Sequence, residues 1–246
     1  MFDAGDAPLV DLHIQRKTYW NLDTGHQDVV RNLSLQIHEG EFLCVVGPSG
    51  CGKTTILRIL LGLDRAYEGR LRLDHAQIRI GTVFQEPRLL SWRTVEENVR
   101  LVLPGSARGA NLDSLFADVG LQAWRARYPG ELSLGLARRV ALARALAISP
   151  KLLILDEAFL SLDDRAASDL RGLVLARGAR DLMAVLLVTH NIREALELAD
   201  RILFLTHRPA QILGESIIER PREDRCSAWI EAQRNDIVAR FDANRP

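Results

Sequence analysis

Two stretches near the start of the chain alternate apolar and polar residues, at 9–14 and 33–37. Alternation with a period of two predicts strands with one buried face. The polar segment 21–28 between them predicts the turn of an antiparallel pair. Solidly apolar runs at 43–46, 151–155 and 184–188 predict parallel strands buried on both faces. Further strands are predicted at 70–73, 78–83, 201–205 and 210–217.

Helical spacing of apolar residues dominates the middle of the chain. Thr94 and Glu97 form a capping box that predicts a helix running through Val99 and Val102. Other helices are predicted at 56–61, 112–119, 123–127, 136–146, 164–177, 192–199 and, as an amphipathic tail, 227–241. The order of elements predicts an α/β fold with a mainly parallel sheet, an N-terminal antiparallel β-subdomain and a helical insertion at roughly 86–147. We expect a single domain, 1–246, that ends in a short helical tail at roughly 222–246.

A glycine-rich loop separates the apolar run 43–46 from the helix at 56–61. Its residues are Gly47, Pro48, Ser49, Gly50, Cys51, Gly52, Lys53, Thr54 and Thr55, and they match the phosphate-binding pattern G-x-x-x-x-G-K-[ST]. Glycines let successive backbone N–H groups turn toward an anion, and the following helix adds its positive end. Lys53 is expected to reach the β- and γ-phosphates, and Thr54 to coordinate Mg²⁺. The alternative, a chance glycine turn, is disfavoured by the flanking strand and helix. The sequence therefore predicts binding of a nucleoside triphosphate.

Charge and cysteine content narrow the class of protein. Lys and Arg together number 32, as do Asp and Glu, so no net basic field recruits nucleic acid. The three cysteines are too scattered for a disulfide framework, which favours a reducing cytoplasm. Cys51 is either a thiol open to alkylation or simply a small residue that fits the loop. The start of the chain does not read as a secretory signal, and no run approaches the roughly 20 apolar residues of a membrane helix.

Four polar residues at predicted strand ends suit phosphate chemistry. Asp156 ends a buried strand, where a carboxylate can share the Mg²⁺ held by Thr54. Glu157 can orient or deprotonate an attacking water, and His190 can bond the γ-phosphate or that water. Gln85 can contact Mg²⁺ or the water through its amide. Taken singly, each of these residues could equally be structural.

The combined motifs closely resemble the nucleotide-binding subunit of ATP-binding cassette (ABC) transporters over roughly residues 9–220. The resemblance rests on one ordered set: the phosphate loop, Gln85, the segment Leu132-Ser-Leu-Gly-Leu136, Leu155-Asp-Glu157, Ser161-Leu-Asp163 and Thr189-His190. It implies a P-loop ATPase core, in which two subunits face head to tail and enclose two ATP molecules.

The resemblance also assigns residues to the dimer. It implies that Ser133 and Gly135 act on the partner's γ-phosphate, that Asp163 lies at the dimer contact and that Tyr19 stacks on adenine, with Trp20 as the alternative. The family pattern at 132–136 is Leu-Ser-Gly-Gly-Gln, so Leu134 and Leu136 depart from it. The Ser hydroxyl, one Gly and a helix start remain. We expect a competent ATPase; the alternative is a weakly active or silent half of a heterodimer.

Finer motifs resemble the nitrate, sulfonate and taurine importer group. They are 84–94, 189–195, 199–202, 207–209 and 220–222. The resemblance implies an ATPase at the cytoplasmic face of the inner membrane, with a membrane permease and, indirectly, a solute-binding protein as partners, and no nucleic acid. The permease is expected to dock near Arg88, Leu89, Leu90 and Trp92, although Leu89 and Leu90 could instead pack inside the insertion. An exporter or lipid-transporter ATPase, and a non-transport cassette acting on ribosomes or DNA, are the rival functions.

Overall fold

The computed structural model of this chain describes residues 7–21, 25–73 and 77–242. The chain divides into two compact units. The first contains residues 1–73 and 186–246, and the second contains residues 74–185. Each unit is described separately below, and the single-domain extent 1–246 stays a prediction.

The elements follow the chain in the predicted order. The strands are β1 (Val10–Asn21), β2 (Gly25–Ile37), β3 (Phe42–Val46), β4 (Glu68–Arg72), β5 (Ile80–Val83), β6 (Leu152–Asp156), β7 (Ala184–Thr189), β8 (Arg201–Leu205) and β9 (Ile212–Ile217). The helices are α1 (Lys53–Leu60), α2 (Val95–Arg100), α3 (Asp113–Asp118), α4 (Leu134–Leu146), α5 (Asp164–Asp181), α6 (Ile192–Leu198) and α7 (Ser227–Asp242).

The first unit begins with an antiparallel sheet in the order β2-β1-β4. Alternate residues of β1 and β2 are buried, as the period-two pattern predicted; Val10, Leu12 and Ile14 lie in the core. The predicted turn at 21–28 was too long. The ladder continues to the pair Asn21 and Gly25 after a register shift at Lys17, because strand pairing tolerates polar side chains where both faces of a hairpin are exposed. Residues 22–24 lie outside the described chain.

The first unit also contains the strand that leads to the phosphate loop. All five residues of β3 are buried. β3 pairs in parallel with β8, and β8 pairs antiparallel with β9. The helices α1, α6 and α7 belong to the same unit, and α6 packs against both β3 and α7.

The second unit carries the helical insertion and two parallel strands. β5 pairs in parallel with β6, with Val83 opposite Leu155, so the two strands end side by side. α4 packs against β5, and α2, α3 and α5 each contact α4. β7 crosses the boundary between the units. The mixed, mostly parallel sheet, the antiparallel N-terminal sheet and the helices confirm the predicted α/β class.

Three helix predictions needed correction. Residues 123–127 do not form an α-helix; only a short 3₁₀ turn, Gln122–Trp124, is present, because too few residues follow to propagate a helix. α2 ends at Arg100 rather than continuing through Val102. α4 begins at Leu134, two residues earlier than predicted, because Ser133 caps it. In the parts of the chain that the structure describes, no helix has the length and apolar character needed to cross a membrane.

Candidate nucleotide-binding site

The glycine loop forms a tight turn between β3 and α1 in the first unit. Gly52 has φ of +129°, and a Cβ there would come within 3.0 Å of the Val29 carbonyl oxygen and 3.3 Å of the Ala210 Cβ. Gly50 also lies in the left-handed region, with φ of +75°. Only glycine takes such conformations without strain. The spacing of glycines in the motif is therefore a backbone requirement of this turn.

Lys53 is held against the first residues of the loop. It is the first residue of α1 and is buried, and its Nζ donates to the carbonyls of Gly47 at 2.8 Å and Pro48 at 2.9 Å. Thr54, next in the helix, is exposed. The first turn of α1 thus presents an exposed hydroxyl beside an anchored ammonium group, as binding of a phosphate with a cation requires.

Cys51 lies inside the loop with only 2% of its surface exposed. Burial raises the pKa of its thiol, so the thiolate, the form that alkylating agents attack, is disfavoured at neutral pH. A Cβ on Gly47 would meet the Cys51 Sγ at 3.0 Å, which shows how closely the side chain fills the turn. Of the two interpretations of Cys51, the structure supports the small residue that fits the loop.

Tyr19 is connected to the helix that follows the loop. Its hydroxyl donates to Asp64 at 2.7 Å, and Lys17 lies over its ring, 4.4 Å from the centroid. Burial and the Asp64 hydrogen bond raise the pKa of Tyr19, while a hydrogen bond from Thr55 in α1 opposes the shift. Trp20 instead packs edge-on against His26, with ring centroids 5.0 Å apart. The contact with α1 supports Tyr19 over Trp20 as the aromatic residue beside the loop.

His190 follows β7 in the same unit as the phosphate loop. Its neighbour Thr189 is buried, and the Thr189 carbonyl accepts a hydrogen bond from the Gly47 amide at 3.3 Å. On the other side of His190, Asn191 caps α6. His190 itself is exposed. The first unit therefore brings the loop, Tyr19 and His190 together.

Asp156 and Glu157 lie in the second unit, at the end of β6. Both side chains are half-buried. Glu157 has φ of +48°, a left-handed conformation that is strained for a residue with a side chain. Val83 is paired with Leu155, so the exit of β5 toward Gln85 lies beside the exit of β6 toward Asp156. The second unit thus brings the strand ends that lead to Gln85 and to Asp156 and Glu157 to one edge of the sheet.

The segment after Gln85 is fixed by Asn98, a fully buried residue of α2. Its Nδ2 donates to the carbonyls of Leu90, Arg93 and Thr94, and its Oδ1 accepts from the Leu90 amide at 2.8 Å. Leu89 and Leu90 are half-buried, whereas Trp92 is 71% exposed. Trp92 therefore remains the outward apolar residue of this segment. The partial burial of Leu89 and Leu90 supports in part the alternative that they pack inside the insertion.

Ser133 begins the motif that departs from the family pattern. Its hydroxyl caps α4, accepting the Leu136 amide at 3.3 Å, and it is exposed. Leu134 is 44% exposed at the first position of the helix. A Cβ on Gly135 would make only an ordinary van der Waals contact, with the Ala166 Cβ at 3.5 Å. The helix start and the hydroxyl needed for an anion contact are thus both present.

Asp163 caps the next helix. It is exposed, and its Oδ1 accepts the Ala166 amide at 2.9 Å at the start of α5. Ser161, two residues earlier, has φ of +62°. The predicted dimer-contact residue therefore lies on an exposed, tightly turned connection, a position open to a second chain.

Arg138 is a buried residue of this unit that sequence reasoning missed. It is 3% exposed; its Nη1 and Nη2 donate to the carbonyls of Phe84 at 3.3 Å and Leu160 at 3.4 Å. Burial lowers the pKa of Arg138. The guanidinium thus joins α4 to the residues just before Gln85 and Ser161. Helical spacing was the one feature of the sequence that could have predicted its burial, because position 138 lies on the same helix face as the buried Ala141 and Leu142.

The chain matches the family model described as ABC transporter over residues 30–160. Among curated proteins, it is 41% identical to an aliphatic sulfonates import ATP-binding protein (SsuB 2) of Burkholderia cenocepacia, over 97% of this chain and 89% of that protein. It is 40% identical to a protein of the same description (SsuB 1) from Xanthomonas axonopodis pv. citri, over 94% of this chain and 95% of that protein.

A solved structure shares the fold. It is described as the dimeric structure of a post-hydrolysis state of the ATP-binding cassette MJ0796 bound to ADP and Pi. The TM-score is 0.75 and the identity 29%, and the alignment covers 86% of this chain and 100% of that one. The similarity therefore extends well beyond the phosphate loop.

Proposed function

This chain belongs to the ABC transporter family and is an ATPase, and from that premise we propose that it energises an importer through a separate membrane permease. The observation that carries the proposal is a complete phosphate loop in a chain about 40% identical, over most of its length, to proteins named as sulfonate import ATP-binding proteins. The nitrate, sulfonate and taurine importer group is the proposed branch. Those two relatives favour a sulfonate among its solutes.

The phosphate loop binds the triphosphate through backbone N–H groups and the positive end of α1. Lys53 stabilises negative charge on the β- and γ-phosphates. The oxygens of Thr54, Gln85 and Asp156 are hard ligands of the kind that Mg²⁺ prefers; they would hold the ion, which neutralises phosphate charge when bound. Tyr19 packs on the adenine ring.

Glu157 is the proposed base that orients the attacking water and takes its proton. A carboxylate is a proton acceptor at neutral pH, and the left-handed backbone at Glu157 is the kind of strain that marks functional residues. His190 bonds the γ-phosphate or the water, and Gln85 reaches the same reacting atoms through its amide. The bond that breaks joins the γ-phosphorus to the bridging oxygen, and the products are ADP and phosphate.

Two copies are proposed to bind ATP head to tail. In this arrangement Ser133 and Gly135 of one copy face the phosphate loop of the other, and Asp163 lies at the contact between them. The exposed hydroxyl at the capped start of α4 supports this role, since a helix start attracts an anion. The MJ0796 cassette similar to this chain is described as dimeric. ATP closes the pair and hydrolysis lets it open, because the two states differ in nucleotide affinity.

The permease is proposed to dock on the segment that contains Arg88, Leu89, Leu90 and Trp92. The exposed Trp92 supplies an apolar anchor, and Asn98 keeps the backbone of the segment fixed. We propose that the subunit lies at the cytoplasmic face of the inner membrane. A solute-binding protein on the opposite side of the membrane would act on it only through the permease. No role for nucleic acid is proposed.

A Glu157→Gln variant tests the mechanism. We expect steady ATPase activity to fall at least about a hundredfold, because the amide cannot accept the proton. Binding of ATP should persist, and ATP should convert the variant into dimers that outlast those of the parent. The measurements are phosphate release and size-exclusion chromatography with light scattering. A variant that hydrolyses ATP at the parental rate would remove Glu157 from this role.

The second candidate function is a silent half of a heterodimer, favoured by Leu134 and Leu136 in place of Gly and Gln. Steady ATP turnover by the purified chain, lost in Lys53→Ala, would exclude it. Co-purification of the chain with a permease and a binding protein would separate the importer from an exporter or lipid transporter.

A further inference from the structure

The C-terminal part of the chain contacts α6 through two arginines. An α-helix leaves its last four carbonyls without partners inside the helix. When the cap residue Ala199 is counted with the end of α6, three of these four carbonyls bond to Arg225, whose Nη1 lies 3.0 Å from the Leu196 oxygen, 3.3 Å from that of Glu197 and 2.8 Å from that of Ala199. The fourth, Leu198, bonds to the Arg222 Nε at 2.7 Å. The tail therefore completes the C-terminal end of this helix.

The Arg225 side chain is buried in the first unit. It is 9% exposed, and its Nε donates to the Arg220 carbonyl at 2.9 Å. Burial and the nearby charge of Arg222 lower the pKa of Arg225 to about 10, so the group is still protonated at neutral pH. A cation at a helix C-terminus is stabilised by the helix dipole, which offsets part of the cost of burial.

Arg222 extends the same contact to the strand of the phosphate loop. Its Nη2 pairs with Asp200 at 2.5 Å, and the other oxygen of Asp200 accepts the Phe42 amide at 2.9 Å. Phe42 begins β3, and Gly47 directly follows its last residue, Val46. The arginine pair thus bonds both to the end of α6 and to the residue that holds the start of β3.

The opposite end of α6 lies next to His190. Asn191 caps the helix by accepting the amides of Arg193 at 3.0 Å and Glu194 at 3.4 Å. The Asn191 amide donates to the Thr189 hydroxyl at 3.1 Å, so His190 is enclosed between two bonded neighbours. α6 has only seven residues. A helix of this length spans only about 10 Å and moves nearly as a rigid body. A displacement of its C-terminal end therefore also displaces His190.

We propose that Arg225 and Arg222 are positioning residues for ATP hydrolysis, which act by fixing α6 and so setting the place of His190. This inference depends on the proposed function, in which His190 contacts the γ-phosphate or the water. In this proposal neither arginine contacts the nucleotide. Their loss should therefore reduce turnover without weakening the binding of nucleotide to the phosphate loop.

The test is a double-mutant cycle in the full chain, with Arg225→Met and His190→Ala made singly and together. We expect Arg225→Met to lower kcat between about tenfold and a hundredfold, the scale of a small misplacement of a reacting group. The Kd for a fluorescent ATP analogue should stay within about twofold of the parent. In the His190→Ala background, Arg225→Met should cause no further loss. Arg225→Lys, which keeps the charge but cannot span three carbonyls, should resemble Arg225→Met.

Two further variants keep the test decisive. Arg220→Met is the matched control, since Arg220 is an exposed arginine of the same segment whose side chain lies over Trp229, 5.5 Å from the ring centroid; it should leave kcat unchanged. If Arg225→Met does not fold, Arg222→Lys takes its place in the cycle, because that side chain is 34% exposed.

Three results would overturn the inference. Losses that multiply in the double variant would show that the arginines act independently of His190. A fall in nucleotide affinity equal to the fall in kcat would show a general structural role. A His190→Ala variant with parental kcat would instead contradict the proposed role of His190 itself, and the inference would fail with it.

Discussion

Ser133 has two roles that one substitution can separate. Its hydroxyl caps α4 within its own chain, and it is also proposed to act on the phosphate held by the partner. Aspartate is as good an N-cap as serine and carries a charge that the helix start favours. The same charge repels a phosphate. Stability and turnover should therefore respond differently to Ser133→Asp.

We predict that Ser133→Asp keeps the free energy of unfolding within about 0.5 kcal/mol of the parent but lowers ATPase activity about a hundredfold. Ser133→Ala is the matched control and should lose about 1 kcal/mol of stability through the missing cap. Urea unfolding and phosphate release measure the two effects. Parental ATPase activity in Ser133→Asp would argue against any phosphate contact at this position.

At the residue scale, the sequence predicted the glycine turn between β3 and α1 but not the buried polar residues. The phosphate loop was predictable because its glycines answer a local backbone requirement, seen in the +129° φ of Gly52. Arg138 and Arg225 were not, since the carbonyls they bond come from distant parts of the chain. Only packing decides whether such a side chain is buried.

At the scale of elements, the segment 87–94 shows how one helix residue shapes a loop. Asn98 supplies an oxygen and an amide that together satisfy four backbone groups of this segment. The segment has little regular structure of its own. Its conformation, and with it the place of Trp92, therefore depends on α2.

We predict that Asn98→Asp destabilises the chain by about 2–4 kcal/mol. The substitution keeps the shape but replaces an NH₂ donor with an acceptor that faces carbonyl oxygens, so buried groups lose their partners. Asn235→Asp is the matched control, because Asn235 is an exposed residue of α7; it should change the free energy of unfolding by less than about 0.5 kcal/mol. Thermal and urea unfolding measure both. Equal stability of the two variants would contradict the assigned role of Asn98.

Periodicity located most strands and helices but not their ends. The antiparallel ladder runs past the alternating residues to Asn21 and Gly25, because backbone pairing does not require alternation where both faces are exposed. The helix predicted at 123–127 reduces to a 3₁₀ turn. Short elements lack enough residues for a periodic signal to compete with local turn geometry.

At the scale of the whole molecule, the site residues fall into two sets. The phosphate loop, Tyr19 and His190 belong to the first unit, and Gln85, Ser133, Asp156, Glu157 and Asp163 belong to the second. The sequence predicted these residues as members of one site in a single domain, and it did not predict their division between two compact units. The family resemblance, and not the local sequence, predicts that both sets act on one ATP and that a second copy is needed. A pattern within one chain does not identify the partner of that chain.

Mixing two inactive variants tests the shared site most directly. Lys53→Ala removes the phosphate-binding ammonium of one copy, and Ser133→Asp removes the facing contact of the other. In a head-to-tail dimer of the two variants, one of the two sites keeps both Lys53 and Ser133. A mixture of Lys53→Ala with the double variant Lys53→Ala/Ser133→Asp has no such site and serves as the control.

The measurement is phosphate release by an equimolar mixture of the Lys53→Ala and Ser133→Asp chains. The proposed dimer predicts recovery of about a quarter of the parental rate, because half of the dimers are mixed and each has one intact site. Activity no higher than that of the control mixture, with both variants folded, would contradict a site shared between two copies.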